Sequence, residues 1–223
     1  STAISCAEGV ILAVPSRSFS EITRQLGEFG GIAVSVTKGI EHETGRTMAG
    51  LIEADAPNAK PVALSGPSLA AEVARGIPTA LVCASEEEAN AKTVQDWFHR
   101  PTLRMYTSTD VLGVELGGAL KNVMAIAAGV CDGLRLGDNA KAALITRGLN
   151  EMRRLGTAAG ARPETFSGLS GMGDLTVTCF SQQSRNRTLG ERIARGEALE
   201  NVLASATAEG YPTARSAKAL AAR

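Results

Sequence analysis

GVELGGALKNVMAIAAGVCDGL, Gly113 to Leu134, is the stretch on which the fold turns. It is long, apolar and free of proline, so it reads as a helix of about six turns. Nine of its 22 residues are Gly or Ala, which lets neighbouring backbones approach closely. In its middle stands Lys121, with Gly117 and Gly118 before it and Ala125 and Ala128 after it. A lysine hemmed by small residues on a buried helix is costly unless it is paired or used. On this stretch alone, the simplest reading is a snorkelling side chain whose ammonium reaches water. What shifts the balance lies further along the chain, at Asp174 and at Ser184 to Asn186.

Upstream, apolar runs alternate with helical spacing. Strands are expected at Gly9–Pro15, Gly31–Val36, Pro61–Leu64, Thr79–Cys83 and Leu103–Tyr106. Between them fall helices at Phe19–Leu26, Thr47–Ala54, Leu69–Ala74 and Glu86–Phe98, the last with Ala89, Val94, Trp97 and Phe98 on one side. That alternation argues a mainly parallel, doubly wound sheet, in which ligands sit beyond the carboxyl ends of the strands. The turns there are Pro15-Ser16, Thr37-Lys38-Gly39 and Ser65-Gly66-Pro67-Ser68. Their small residues suit a phosphate-bearing ligand pressed against backbone, although tight turns of this composition are common.

From Asp110 onward the strand patterns stop. Helices are expected over Lys141–Ala159, Leu189–Arg195, Ala198–Ala206 and from Thr213 to the end, so a boundary falls near Asp110. Phe166 to Thr178, FSGLSGMGDLTVT, reads as a glycine-rich break ending near Asp174, and SQQSRNR (Ser181 to Arg187) as a helix opening. Free N–H groups at a helix start together with a guanidinium make a competent phosphate site. By itself Ser184 is more simply an N-cap.

Composition narrows the function classes. With 23 basic and 23 acidic side chains the formal charge is zero, so there is no basic field for nucleic acid and no polybasic patch for a membrane. Glu115, Lys121 and Asp132 interrupt the central helix, which therefore does not read as a membrane span. The four cysteines (Cys6, Cys83, Cys131, Cys179) lack CxxC spacing and read as reduced, buried thiols of a cytoplasmic protein. With only His42 and His99, a histidine-based metal centre is not expected.

Thr37-Lys38-Gly39, Ser65-Gly66-Pro67-Ser68, Gly118-Ala-Leu-Lys121-Asn122, Gly168-Leu-Ser-Gly-Met-Gly-Asp174 and Ser184-Arg185-Asn186 occur in this order. In them the chain, from about Val10 to Tyr211, closely resembles the bacterial-type NAD(P)-dependent glycerol-3-phosphate dehydrogenases. The resemblance implies a cytoplasmic enzyme interconverting dihydroxyacetone phosphate and sn-glycerol 3-phosphate with NAD or NADP, supplying phospholipid synthesis. It implies Lys121 as general acid/base and Lys38 as a second lysine touching cofactor and substrate. Gly66 and Ser68 would line the substrate and Ala70 the cofactor. Asp174, Ser184, Arg185 and Asn186 would complete the substrate pocket, with Arg185 also near the cofactor, and Glu209 would touch the cofactor. Residues 1–109 would then be the remainder of a dinucleotide-binding domain and residues 110–223 a helical catalytic domain.

The family's first strand is followed by a glycine-rich loop, and no GxGxxG occurs here. The chain opens on Ser1 and closes on ARSAKALAAR without a stop signal, so it is expected to be a piece cut at both ends. The residues that choose between NAD and NADP would lie outside it. The oligomeric state stays open, a homodimer among the choices. Two other readings compete: a two-domain dehydrogenase of the 3-hydroxyacid or 6-phosphogluconate type, and an inactive piece acting as a helical interaction module. The glycine-rich segment and Ser184-Arg185-Asn186 favour the three-carbon phosphate, and a free-standing module has no use for a charged lysine in its central helix.

Overall fold

The structure, a computed structural model, describes residue 4, residues 6–205 and residues 207–222. The expected helix end at Ala206 and the chain ends Ser1 and Arg223 lie outside the described residues. Five strands form one sheet in sequential order: β1 (Gly9–Leu12), β2 (Ile32–Ser35), β3 (Lys60–Ser65), β4 (Thr79–Ala84) and β5 (Leu103–Ser108). Four helices accompany them: α1 (Phe19–Arg24), α2 (Met48–Asp55), α3 (Ala70–Ala74) and α4 (Glu88–Phe98).

The interior strand β2 is buried at every position, which is why its sequence is a continuous apolar run and not an alternating one. Successive side chains still go to opposite faces. Ala33 joins Phe19, Met48 and Ile52 under α1 and α2, while Val34 joins Val62, Leu81 and Val94 under α4. Burying each of these larger side chains contributes about 1.5–3 kcal/mol. On α4 it is Ala91 that faces the sheet, whereas Ala89 is exposed, against expectation. Among the cysteines, Cys83 and Cys179 are buried as expected, Cys131 is half-buried, and Cys6 is exposed.

The expected mainly parallel sheet is present, with one reversal. β1, β2 and β3 are mutually parallel, β4 is antiparallel to β3, and β5 is parallel to β4. A parallel return needs a crossover helix packed on the sheet. α3 has five residues and buries none of them, so the chain doubles back instead. The carboxyl ends of β1, β2 and β3 therefore share one edge, and β5 delivers the chain to the opposite edge.

There α5 (Val111–Gly133) begins, capped by Asp110. The Asp110 carboxylate accepts from Gly113 N at 3.0 Å, from Arg162 N at 3.0 Å and from Thr165 Oγ1 at 2.5 Å, so it also holds the far end of the helical part. Eleven residues of helix rise about 16 Å, close to the length of β3. That run brings α5 across the sheet face to the carboxyl edge just where Lys121 falls. α6 (Gly137–Ala158), α7 (Asp174–Phe180), α8 (Arg185–Ala194), α9 (Leu199–Ser205) and α10 (Gly210–Ala221) follow, and no strand occurs beyond Ser108 among the described residues. Leu116, Leu120, Met152, Phe166 and Leu175 form the helical core around α5.

Several boundaries differ from the sequence reading. The glycine-rich break contains a 3-10 turn (Pro163–Ser167), a π-helical turn (Leu169–Gly173) and the start of α7, which periodicity does not register. α6 starts at Gly137, α8 at Arg185 and α10 at Gly210, each three or four residues earlier than expected. α5 is long and apolar enough to cross a membrane by length and composition, but 67% of its most apolar window is buried inside the chain, the place of a core helix.

Candidate active site

Asp174 is the first residue of α7, where the helix dipole favours a carboxylate, and it is 2% exposed. Lys121 reaches it from α5: Lys121 Nζ donates to Asp174 Oδ1 at 2.9 Å and to Thr178 Oγ1 at 2.7 Å. The Thr178 hydroxyl in turn donates to the Asp174 carbonyl at 2.6 Å. The other carboxylate oxygen, Oδ2, accepts from Lys38 Nζ, which also donates to the Gly66 carbonyl at 3.1 Å. One buried carboxylate thus bridges two ammonium groups brought from the sheet edge and from the central helix. Burial, aided by the nearby Lys38 charge, pushes the Lys121 ammonium down to about 8 against the pull of Asp174. Lys121 is 7% exposed, so the snorkelling reading does not hold.

The convergence of Lys121 with Asp174, 53 residues apart, is the arrangement expected from the sequence. That Lys38 shares the same carboxylate was not expected. Thr178 was missed altogether, though its place four residues after Asp174 is the helical spacing at which neighbours meet.

A cleft of about 750 Å³ opens over this group, with Lys38, Ala70, Lys121, Asp174, Arg185 and Glu209 on its walls. Ser68, Ser184 and Asn186 also line it, whereas Gly66 does not. Gly66 acts from behind: its φ of +129° suits only glycine, and its carbonyl accepts from both Lys38 and the Ser68 hydroxyl, the latter at 3.1 Å. Ala70 opens α3 and is exposed.

Ser184 takes the simpler role as the N-cap of α8, accepting from Arg187 N at 3.2 Å. Arg185 follows at the first helical position, exposed and with no hydrogen-bond or ion-pair partner among the described residues. Asn186 is engaged on both sides. Its amide donates to Asn122 Oδ1 at 2.9 Å and its carbonyl oxygen accepts from Gly210 N at 2.9 Å, tying α8 to α5 and α10. The Glu209 carboxylate accepts from Ser16 N at 3.2 Å and Ser16 Oγ at 2.5 Å, so it joins α10 to the turn after β1.

Two features fix α8 against α5. Gly190 packs so closely that a Cβ there would lie 1.9 Å from the Ile126 carbonyl oxygen. Deeper down, Asp132 on α5 accepts from Arg187 Nε of α8 at 2.6 Å and pairs with Lys141 of α6. Neither was read from the sequence.

The family model described as NAD-dependent glycerol-3-phosphate dehydrogenase C-terminus matches residues 110–223, and the corresponding N-terminus model matches residues 1–91. A glycerol-3-phosphate dehydrogenase (NAD(P)+) of Thioalkalivibrio sulfidiphilus is 50% identical over 218 residues, covering 95% of this chain and 66% of that protein. One from Salinibacter ruber is 51% identical, covering 94% of this chain and 64% of that protein. The chain thus spans about two-thirds of the length of these relatives. The crystal structure of glycerol-3-phosphate dehydrogenase from Coxiella burnetii superposes with a TM-score of 0.94 at 36% identity, covering 99% of this chain and 69% of that one. With both halves matched in order and the fold shared, the chain belongs to the NAD-dependent glycerol-3-phosphate dehydrogenase family.

Proposed function

We propose that the complete protein interconverts dihydroxyacetone phosphate and sn-glycerol 3-phosphate with NAD or NADP, in the cytoplasm, where the product feeds phospholipid synthesis. The observation that carries this reading is the buried Asp174 held between Lys121 and Lys38. Reducing a ketone builds negative charge on its oxygen, and a donor carrying positive charge must stand there. Lys121 and Lys38 around one carboxylate leave a net positive charge in a nearly dry site. With its ammonium near pH 8, Lys121 is mostly protonated at neutral pH yet able to release its proton. In reduction it would donate that proton to the C2 oxygen, and in oxidation the neutral amine would take it back. Asp174 and Thr178 hold the amine in place.

Arg185 is the cleft's cation without a partner among the described residues, and its fork fits two oxygens of a phosphate dianion. The N-terminus of α8 adds backbone N–H groups beside it. The cleft also fits the reactive end of a dinucleotide, with Lys38, Ala70, Arg185 and Glu209 along it. NAD(P)H, when bound, supplies the hydride. We assign residues 1–109 to the dinucleotide-binding side and residues 110–223 to the helical catalytic side, with Lys121 on the first helix of the latter.

A bare interaction module would gain nothing from burying the Lys121 ammonium and half-burying that of Lys38, a costly arrangement. The test is turnover by the full-length protein of dihydroxyacetone phosphate against 3-hydroxyacids and 6-phosphogluconate, with both cofactors. Dihydroxyacetone phosphate is expected to be strongly preferred, and a preferred hydroxyacid would overturn the assignment.

A further inference from the structure

Glu115 is a buried carboxylate that the chemistry above does not use. It stands six residues before Lys121 on α5, is 7% exposed, and has no lysine, arginine or histidine in ion-pair reach among the described residues. Its Oε1 accepts from Ala49 N at 3.0 Å, while Oε2 has no hydrogen-bond partner among the described residues. Ala49 is the second residue of α2, whose own N-cap, Thr47, makes no side-chain cap. A donor that the helix leaves orphaned is therefore satisfied by a carboxylate reaching in from another element. Burial pushes Glu115 up to about 7, with the nearby Thr47 hydroxyl and the Ala49 N–H opposing and the like charge of Glu53 on α2 reinforcing the rise.

Thr47 is also the base of the loop that carries Lys38. Ile40 and Thr47 pair as an antiparallel bridge, and Glu41 N donates to the Arg46 carbonyl at 2.9 Å just inside it. Lys38 precedes this bridge by two residues. On the same face of α5, three residues after Glu115, Gly118 leaves the space the Lys38 stem runs through. A Cβ there would lie 3.5 Å from Lys38 Cγ and 2.6 Å from Ser65 Oγ. One strip of α5 thus holds both ends of the loop.

We infer that Glu115 is a positioning residue for Lys38: by capping α2 from α5 it fixes the loop of residues 37–47 so that the Lys38 ammonium reaches Asp174. Its catalytic consequence rests on the reading of Lys121, Asp174 and Lys38 given above, but its test does not require turnover. In the full-length chain, the Lys121 ammonium is titrated by NMR of lysine labelled with 13C at Cε, with Lys38→Ala as reference. The groups facing Lys121 are Asp174, Lys38, Thr178 and Cys179, and withdrawing Lys38 removes a charge that holds its titration down.

Glu115→Leu fills the space without an acceptor and is expected to move the Lys121 titration upward by about half a pH unit or more, the direction of Lys38→Ala. Glu115→Gln keeps an acceptor for Ala49 N and is expected to leave it in place. If Glu115→Leu does not fold, Ala49→Pro deletes the donor in a first helical turn, where proline is tolerated, and is expected to give the same rise. A Lys121 titration that stays near 8 in Glu115→Leu or Ala49→Pro overturns the inference, as does an equal rise in Glu115→Gln. Failure to turn over dihydroxyacetone phosphate with the titration shift intact would overturn the function and not this role.

Discussion

Lys121→Met removes an ammonium that burial disfavours while leaving the length and volume of the side chain nearly unchanged. The group falls from its ordinary 10.5 to about 8, which at 1.36 kcal/mol per pH unit corresponds to about 3 kcal/mol. The unfolded lysine titrates near 10.5 and the folded one near 8, so between these values the unfolded chain holds the extra proton and stability rises with pH. The penalty is therefore fully present below about pH 8 and gone by about pH 10.5. Asp174 is not stranded in the variant, because Lys38 still pairs with it. Urea unfolding of parent and variant at pH 7 and pH 10.5 measures the effect. Lys121→Met is expected to be more stable by up to about 3 kcal/mol at pH 7, with the gap closing at pH 10.5. A variant less stable than the parent at pH 7, or a gap equal at both pH values, would refute the reasoning.

Arg185→Ala is expected to raise KM for dihydroxyacetone phosphate by about 10-fold or more with a smaller change in kcat, since phosphate binding is shared by ground and transition states; steady-state kinetics decide. Gly190→Ala forces a Cβ against the Ile126 carbonyl and should cost about 1–3 kcal/mol in denaturant unfolding. It should also lower activity, because α8 carries Arg185 and Asn186. Glu115 titrates near 7 in the folded chain against 4.5 ordinarily, so the folded chain keeps this proton longer and its contribution is lost as pH rises from about 4.5 to 7. Glu115→Gln should flatten that part of the stability profile, and a profile that coincides with the parent's would contradict the assigned burial.

The strands were legible because each is a short apolar run bounded by turn residues, and β2, buried on both faces, carries the strongest such signal. The reversal at β4 was not, since direction depends on whether α3 packs on the sheet, and a five-residue segment has no periodicity to show it. Lys121 stood out as a lysine among small residues, but Asp174 was joined to it only through the family motifs, because the glycine-rich segment before it hides the start of α7. The same logic is silent on Lys38, an ordinary lysine in a loop until the fold brings it to Asp174. Ser184 and Glu209 show the converse. Their motif positions were recognised, yet the bonds they make are structural, a cap on α8 and a tie to Ser16. The Asp132, Arg187 and Lys141 group has no sequence signature, because it joins three helices whose faces are set only when α5 and α8 close to glycine contact.

The pH dependence of kcat/KM for dihydroxyacetone phosphate reduction by the full-length protein bears most directly on the role of Lys121. If its ammonium donates the proton, the rate is level below about pH 8 and falls about tenfold per pH unit above it. Lys121→Met should then lose that limb and run about 10²-fold slower or worse at pH 7. A Lys121→Met enzyme within a few-fold of the parent, or one that keeps the same alkaline limb, would show that the proton comes from elsewhere.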